Sequence, residues 1–159
     1  MEFTKENTAG VGKILSGLYI VAATDGKECD GYLASWVQQI SFDPLLLTVA
    51  IKPGRPCYDL INSGGLFTIN VVGEDNTSVM KPFWSGHQPG VNPFADLETS
   101  TTENGSIVLD QAVSVIECRM VSSSKPGDHE LVIAEVVSSK VVNDNDKPKG
   151  HLRKSGLDY

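Results

Sequence analysis

The sequence of 159 residues has few cysteines, no cluster of basic residues and no long apolar run. Its three cysteines, Cys29, Cys57 and Cys118, form no CxxC pair, which argues against a thiolate metal site and a disulfide framework. The net charge of −7 is unlike the basic surface that nucleic acids require. No apolar run approaches the roughly 20 residues of a membrane span, and no secretory signal is visible. We therefore expect a cytoplasmic protein that binds neither nucleic acid nor membrane.

Several ligand-binding motifs are also missing. No GxGxxG sequence follows a strand and opens a helix, and no Walker-type glycine loop is present, so neither a Rossmann site nor a P-loop is indicated. The histidines His87 and His151 are far apart and lack metal-ligand spacing, so we predict no metal site. Cys57 and Ser63 have no convincing base partner in the sequence, so no nucleophilic triad is indicated.

The patterns that are present indicate a mainly β protein. Fifteen glycines and eight prolines imply many turns, and Asp25-Gly26 is a strong hairpin signal. Short helices are expected within 3–15, 55–62 and 74–81, and an irregular excursion at 82–106. The expected strands are 18–24, 31–38, 45–51, 66–72, 111–123 and 130–142, of which 18–24 and 45–51 read as buried on both faces. This arrangement predicts one domain over 1–159, an antiparallel barrel or sandwich with peripheral helices.

The segment 33–44 mixes apolar and polar side chains in an unusual way. Ser35, Trp36, Gln38 and Ser41 lie between two apolar runs, so they could form the wall of a pocket for a polar ligand. The same pattern is typical of a half-exposed strand with solvated polar residues, and the pattern alone favours that interpretation.

Cationic residues flank a turn before the helix expected at 55–62. Lys52 and Arg55 surround Pro53-Gly54, and a helix N-terminus with two cations suits a phosphate group. The alternative is two solvated surface cations. Lys81 is a weaker candidate for the same role. His129, which follows Gly127-Asp128, could bind a ring edge or relay a proton, although a single histidine is more often structural.

These segments together resemble a known family. Residues 33–44, 61–71 and the Gly127-Asp128-His129 segment with its following strand are similar to the flavin reductase-like family, which has an FMN-binding split barrel. The tail, His151 to Tyr159, resembles the C-terminal module of cyanobacterial-type diflavin flavodiiron proteins. The resemblance extends over nearly the whole chain.

The resemblance implies a six-stranded antiparallel Greek-key barrel that dimerises, with FMN near the subunit interface and FAD as the alternative flavin. It implies hydride transfer from NADH or NADPH to the flavin, and delivery of electrons to a flavodiiron or other acceptor protein. It also implies roles for particular residues. His129 would lie near the flavin ring or nicotinamide. The implied cofactor-binding residues are Leu33, Ala34, Ser35, Trp36, Ser41, Ile51, Lys52, Arg55, Lys81 and Tyr159.

One position departs from the family pattern. Many relatives carry Asn where this chain has Asp30, so a negative charge replaces an amide near a site for anions. The long excursion contains Phe83 and Trp84, and we interpret its first part, 82–97, as a lid or a stacking surface for the nicotinamide or adenine.

Three other functions remain open from the sequence. One is a non-catalytic FMN-binding electron-transfer protein of the flavoredoxin type. Another is a barrel that has lost flavin and serves as an interaction module. The third is an enzyme like pyridoxamine-phosphate oxidase, for which no phosphate-binding cluster beyond Lys52 and Arg55 is visible.

Overall fold

The computed structural model describes residues 2–158. Helical structure is limited to one α-helix, α1 (Pro56–Gly64), and 3₁₀ helices at Val11–Lys13 and Thr77–Phe83 among these residues. The strands are β1 (Ser16–Gly17), β2 (Tyr19–Thr24), β3 (Cys29–Ala34), β4 (Val37–Phe42), β5 (Leu45–Ile51), β6 (Leu66–Val71), β7 (Thr99–Thr101), β8 (Ile107–Leu109), β9 (Ser114–Ser124), β10 (Glu130–Val141) and β11 (Gly150–His151). The prediction of a mainly β protein with short helices is confirmed. No helix of the described residues combines the length and apolar character needed to cross a bilayer.

The principal sheet contains seven antiparallel strands in the order β3-β2-β6-β9-β10-β5-β4, rather than the six expected. The extra strand arises because the predicted strand at 31–38 is two strands, β3 and β4. The chain leaves the β2 side of the sheet after Ala34 and joins β5 at Val37. Ser35 and Trp36 connect the two edge strands, and the Ala50 N–H donates to the Trp36 carbonyl at 3.0 Å. Because β3 also contacts β5, the sheet curls toward a barrel.

The strands of the principal sheet differ in whether one or both of their faces are buried. On β2, Val21 and Ala23 enter the barrel core, whereas Ile20 and Ala22 enter a second core outside the sheet. Both faces of β2 are therefore buried, as its continuous apolar run predicts. The same prediction is wrong for β5, where buried and partly exposed residues alternate, because only one face of β5 has a core against it.

Helix α1 packs against β2 and β3 and closes the barrel core. Its Cys57 and Ile61 side chains are fully buried there. Pro56 occupies the first helical turn, where its missing N–H costs nothing. Gly65 ends the helix with φ of 74°, a left-handed conformation that glycine adopts readily. The helix prediction at 55–62 is confirmed to within two residues.

The excursion between β6 and β9 covers the second core. Phe83, Phe94 and Leu109 are buried there against β2. The segment expected to be helical at 74–81 is a 3₁₀ helix that starts later, at Thr77, and contains Pro82, which removes a backbone donor. The irregular region at 82–106 is interrupted by β7, which pairs with β8. The 3–15 segment is helical only at Val11–Lys13.

Candidate flavin and nucleotide site

A cleft of about 460 Å³ opens where the two edges of the sheet meet. Its walls come from the β3–β4 connection, the end of β5, the start of β10, the 3₁₀ helix at Thr77–Phe83 and the C-terminal tail. The lining residues are Leu18, Tyr32, Leu33, Ala34, Ser35, Trp36, Ala50, Lys52, Arg55, Met80, Phe83, Trp84, His129 and His151. This size lies within the usual range for small-molecule sites, roughly 300–1,000 Å³.

The cleft brings together seven of the predicted site residues from three separate parts of the chain. They are Leu33, Ala34, Ser35, Trp36, Lys52, Arg55 and His129. The β3–β4 connection supplies the first four because it leaves one sheet edge and crosses to the other. The pocket-wall interpretation of 33–36 is therefore the one that the geometry favours over the solvated strand.

Trp36 contacts two other side chains, His129 and Arg153. Its ring centroid lies 5.0 Å from that of His129, with a tilt of 59° between the planes. The guanidinium carbon of Arg153 lies 5.2 Å from the Trp36 centroid, which is a cation–π distance. The Arg153 amide donates to the Gly12 carbonyl at 3.1 Å, so the tail is anchored as it reaches Trp36.

His129 is held by the residue before it. Its Nδ1 lies 2.9 Å from an Oδ1 of Asp128, and its side chain is only 13% exposed. The pKa of Asp128 lies below its usual range, because its carboxylate is hydrogen-bonded to His129 and is attracted by the charges of His129 and Lys52. Asp128 thus stays a carboxylate that accepts from Nδ1 and orients the imidazole beside Trp36.

Two cations also line the cleft. The end of β5 pairs with the start of β10, so Lys52 lies close to His129. Lys52 is exposed, and Arg55 stacks on the Tyr32 ring with 5.4 Å between the guanidinium carbon and the centroid. The Tyr32 hydroxyl is fixed by donation to the Ala50 carbonyl at 3.3 Å. The two cations could bind an anionic group, and the aromatic residues of the lining could hold an apolar ring.

The predicted use of the α1 N-terminus for phosphate needs correction. The Cys57 N–H, one of the first donors of the helix, is already bound to Oδ2 of Asp30 at 3.0 Å. The side chains of Lys52 and Arg55, rather than that amide, are therefore the groups facing the cleft. Asp30 does not line the cleft, so its charge does not enter the site directly.

Three predicted site residues lie away from the cleft lining. Ser41 is on β4, five residues beyond Trp36, which is about 16 Å along an extended strand. The Ile51 side chain is fully buried in the barrel core. Lys81 is exposed on the 3₁₀ helix, whose neighbouring Met80 and Phe83 reach the cleft instead. Tyr159 lies outside the described residues.

Other lining residues were not predicted as site residues. His151 reaches the cleft because β11 pairs with β1, which places Gly150 opposite Gly17 and His151 opposite Ser16. The tail motif containing His151 was visible in the sequence, but its pairing with β1 was not. Leu18, Tyr32, Ala50 and Met80 are apolar or aromatic residues that sequence alone assigns to a core. Phe83 and Trp84, the expected lid aromatics, do line the cleft.

A family model described as "Flavin reductase like domain" matches residues 11–156. Among known proteins, the chain is 40% identical over 150 residues to a Nostoc sp. protein of the diflavin flavoprotein A group, covering 94% of this chain and 26% of that protein. It is 36% identical over 150 residues to diflavin flavoprotein A 1 of Synechocystis sp., again covering 94% of this chain and 26% of that protein. The chain therefore spans about a quarter of the length of these relatives.

Solved structures share the fold. The NADH:FAD oxidoreductase of Streptomyces globisporus C-1027 superimposes with a TM-score of 0.83 at 20% identity, covering 91% of this chain and 86% of that one. At this identity the likeness concerns the fold alone. Taken with the family match over 11–156, it leads to one conclusion: the chain belongs to the flavin reductase-like family.

Proposed function

We propose that this chain is an NAD(P)H:flavin oxidoreductase that binds FMN in the cleft at the sheet edges. The observation that carries the proposal is the cleft itself, whose lining combines the aromatic rings of Trp36 and His129 with two cations, Lys52 and Arg55. A planar ring system with a phosphate at the end of a flexible chain matches that distribution of groups. FMN fits it with one phosphate, and FAD is the alternative that the same walls could accept.

The chain's own residues would bind and orient the reactants. When bound, the flavin would supply the two-electron chemistry by accepting hydride from NADH or NADPH. Lys52 and Arg55 would neutralise the phosphate, and Leu33, Ala34 and Ser35 would line the ring and its side chain. The apolar part of the cleft lining would lower the dielectric constant around a bound ring and so strengthen the electrostatic contacts to it.

His129 would act at the ring edge. The Asp128 carboxylate accepts from Nδ1 and orients the imidazole beside Trp36 in the cleft lining. From there His129 would contact the flavin ring or the nicotinamide. Ser41, Ile51, Lys81 and Tyr159 remain predicted cofactor contacts on the resemblance alone.

The electrons would pass to a downstream acceptor. The matched relatives are about four times longer than this segment and are named diflavin flavoproteins, so a flavodiiron-type acceptor on the same or another polypeptide is the one we propose. We propose a cytoplasmic location, since the three cysteines are free thiols. We also propose a homodimer, because edge strand β4 exposes Ile40 at 49% and Phe42 at 90% and needs a cover.

One alternative has a specific observation in its favour. An FMN-binding protein of Thermus thermophilus shares the fold with a TM-score of 0.72 at 20% identity, covering 81% of this chain and 73% of that one. A non-catalytic FMN-binding electron-transfer protein would use the same cleft without a pyridine-nucleotide step.

A visible absorption spectrum tests these functions. The purified protein is mixed with FMN, freed of excess, and then treated anaerobically with NADH or NADPH. Bleaching of retained flavin supports the reductase and identifies its donor, whereas retained flavin that stays yellow supports the electron carrier. If no flavin is retained, oxidation of NAD(P)H with free flavin supports a reductase that uses flavin as substrate. A protein that neither retains flavin nor oxidises NAD(P)H with free flavin would contradict the proposal.

The phosphate contacts can be tested separately. Replacing Lys52 and Arg55 together by Gln should weaken FMN binding by about tenfold per cation, because each is a charge-assisted contact of roughly 1.5 kcal/mol. Binding of riboflavin, which lacks the phosphate, should change little. Lys27→Gln, at an exposed turn between β2 and β3, is the control. Equal losses for FMN and riboflavin would contradict a phosphate role.

A further inference from the structure

Three consecutive residues at the edge of the sheet hold one segment of the excursion. We define this 84–97 segment as the loop. Cys29 places its Sγ 3.4 Å from Oδ1 of Asn92. Asp30 places its Oδ1 3.2 Å from Nδ1 of His87. The next residue, Gly31, lies directly beneath Phe94. The loop is thus docked along β3 and covers that edge strand.

Asp30 is the polar centre of this docking. Its side chain is 6% exposed, and a carboxylate so deeply buried needs partners for both oxygens. Oδ2 accepts from the Cys57 N–H of α1, and Oδ1 contacts His87 of the loop. The one carboxylate therefore joins the edge strand, the helix and the loop. His87 is 32% exposed, so it can be replaced without opening a core.

The apolar part of the docking leaves no spare room. A Cβ on Gly31 would lie 2.7 Å from Cζ of Phe94 and 3.1 Å from Cε1 of Phe83. The two rings are themselves 5.5 Å apart between centroids. Phe83 lies at the end of the 3₁₀ helix and also lines the cleft. Phe94 of the loop therefore contacts both β3 and the residue that precedes Trp84.

The position of Trp84 depends on this docking more than the position of Phe83, which is buried. Trp84 lines the cleft next to Phe83 but is 63% exposed, and its N–H donates to the Lys81 carbonyl at 3.3 Å, within the same segment. Little packing fixes an indole so exposed. The nearest polar anchor that ties the chain after it to the barrel is His87, three residues later.

We propose that the Asp30–His87 pair is a positioning latch that holds Trp84 at the mouth of the cleft, and that the surface so formed receives the pyridine nucleotide. This inference rests on the proposed reductase function. The flavin walls proposed above come from the β3–β4 connection and the end of β5, which the latch does not carry. An indole at the mouth presents a flat face on which a nicotinamide or adenine ring can stack. If the latched state is only a fraction of the population, the apparent affinity for the nucleotide falls by that fraction.

Steady-state kinetics of His87 variants test the latch. His87→Ala should raise the KM for NADH or NADPH by roughly fivefold, the equivalent of one lost hydrogen bond. The kcat and the flavin dissociation constant should stay within about twofold of wild type, since the latch touches neither. His87→Asn should restore KM, because its amide nitrogen occupies about the position of Nδ1 and can donate to Asp30. Ser100→Ala is the control, since it removes a 2.5 Å hydrogen bond to Asp110 in the same excursion but away from β3.

Several outcomes would overturn the latch. One is an unchanged KM in His87→Ala. Another is a parallel loss of kcat, flavin binding and KM, which would indicate general disruption. A third is His87→Asn behaving like His87→Ala. A rise in KM as large in Ser100→Ala would likewise refute it.

Amide hydrogen exchange tests the latch without any turnover. Peptides from 84–97 should exchange faster in His87→Ala than in wild type, while peptides from β6 and β9 are unchanged. Unchanged exchange in the loop would refute the latch even in an active enzyme. A wild type that oxidises neither NADH nor NADPH would instead refute the proposed function. The two failures are therefore distinguishable.

Discussion

The carboxylate of Glu117 allows a prediction about how the excursion is fixed to the sheet. Glu117 lies on β9 and is 1% exposed. Thr102 donates to its Oε1 at 2.6 Å, and Asn104 and Ser138 donate to its Oε2 at 2.9 and 3.3 Å. Burial alone would raise the pKa of Glu117, but the surrounding donors, Ser106 among them, hold the pKa below its usual range. The carboxylate thus ties the β7–β8 turn to β9.

Glu117→Gln should therefore destabilise the protein substantially. The Gln side chain keeps one acceptor, but its amide group brings two more donors into a site already filled by donors. Hydrogen bonds to charged groups contribute roughly 1.5–3 kcal/mol each, so losing about one of them lowers the free energy of unfolding by about 2 kcal/mol. Urea denaturation at pH 7 measures this change. Glu135→Gln, on an exposed position of neighbouring β10, is the control and should change stability little.

The pH dependence gives a second readout of the same interaction. Because the pKa of Glu117 is lower in the folded protein than in the unfolded chain, its stabilisation is complete above roughly pH 4.3. It is lost as the pH falls through the folded-state pKa. The gap in stability between wild type and Glu117→Gln should hence narrow in acid. A gap that stays constant from pH 7 to pH 3.5, or no gap at pH 7, would refute the assignment of a buried, ionised carboxylate.

Two further variants test packing around the cleft. Arg153→Ala removes the cation from the Trp36 face, a contact of about 0.5–2 kcal/mol, and should weaken flavin binding roughly two- to thirtyfold in a fluorescence titration; Arg153→Lys should lose less, and equal binding in all three proteins would contradict the role. Gly31→Ala places a methyl group against Phe94 and should cost about 1–3 kcal/mol of unfolding free energy. Gly64→Ala, with no atom within 4 Å of the added carbon, is its control, and equal effects of the two would show that the close approach is not limiting.

The parts of the fold that depend on local signals could be predicted from the sequence. The apolar run of β2, the Asp25-Gly26 turn and the Pro56 start of α1 each specify their own structure. The break of one predicted strand into β3 and β4 could not be predicted, because no local pattern in residues 31–38 indicates that the two halves pair with different strands. The predicted number of strands was therefore six, whereas the principal sheet has seven.

The same limit applies to the site. The pocket-wall residues Ser35 and Trp36 were identified through the resemblance to the flavin reductase-like family, because their pattern alone favours a solvated strand. His151 was missed as a site residue because its position depends on pairing between β11 and β1, more than 130 residues apart. Asp30 was placed beside an anion site, but its charge is turned toward Cys57 and His87. Side-chain direction, which is set by tertiary packing, was the missing information.

The connection from β3 to β4 has a consequence for the stability of the ligand-bound domain. Ser35 and Trp36 join the two edges of the sheet, and the Ala50 N–H donates to the Trp36 carbonyl beside the cleft. A ligand that contacts this wall binds the folded sheet and not the unfolded chain, so its binding energy adds to the free energy of unfolding. Occupancy of the cleft at 100 times the dissociation constant would contribute about 2.7 kcal/mol. A ligand in the cleft would therefore also stabilise the junction between the two edges of the sheet.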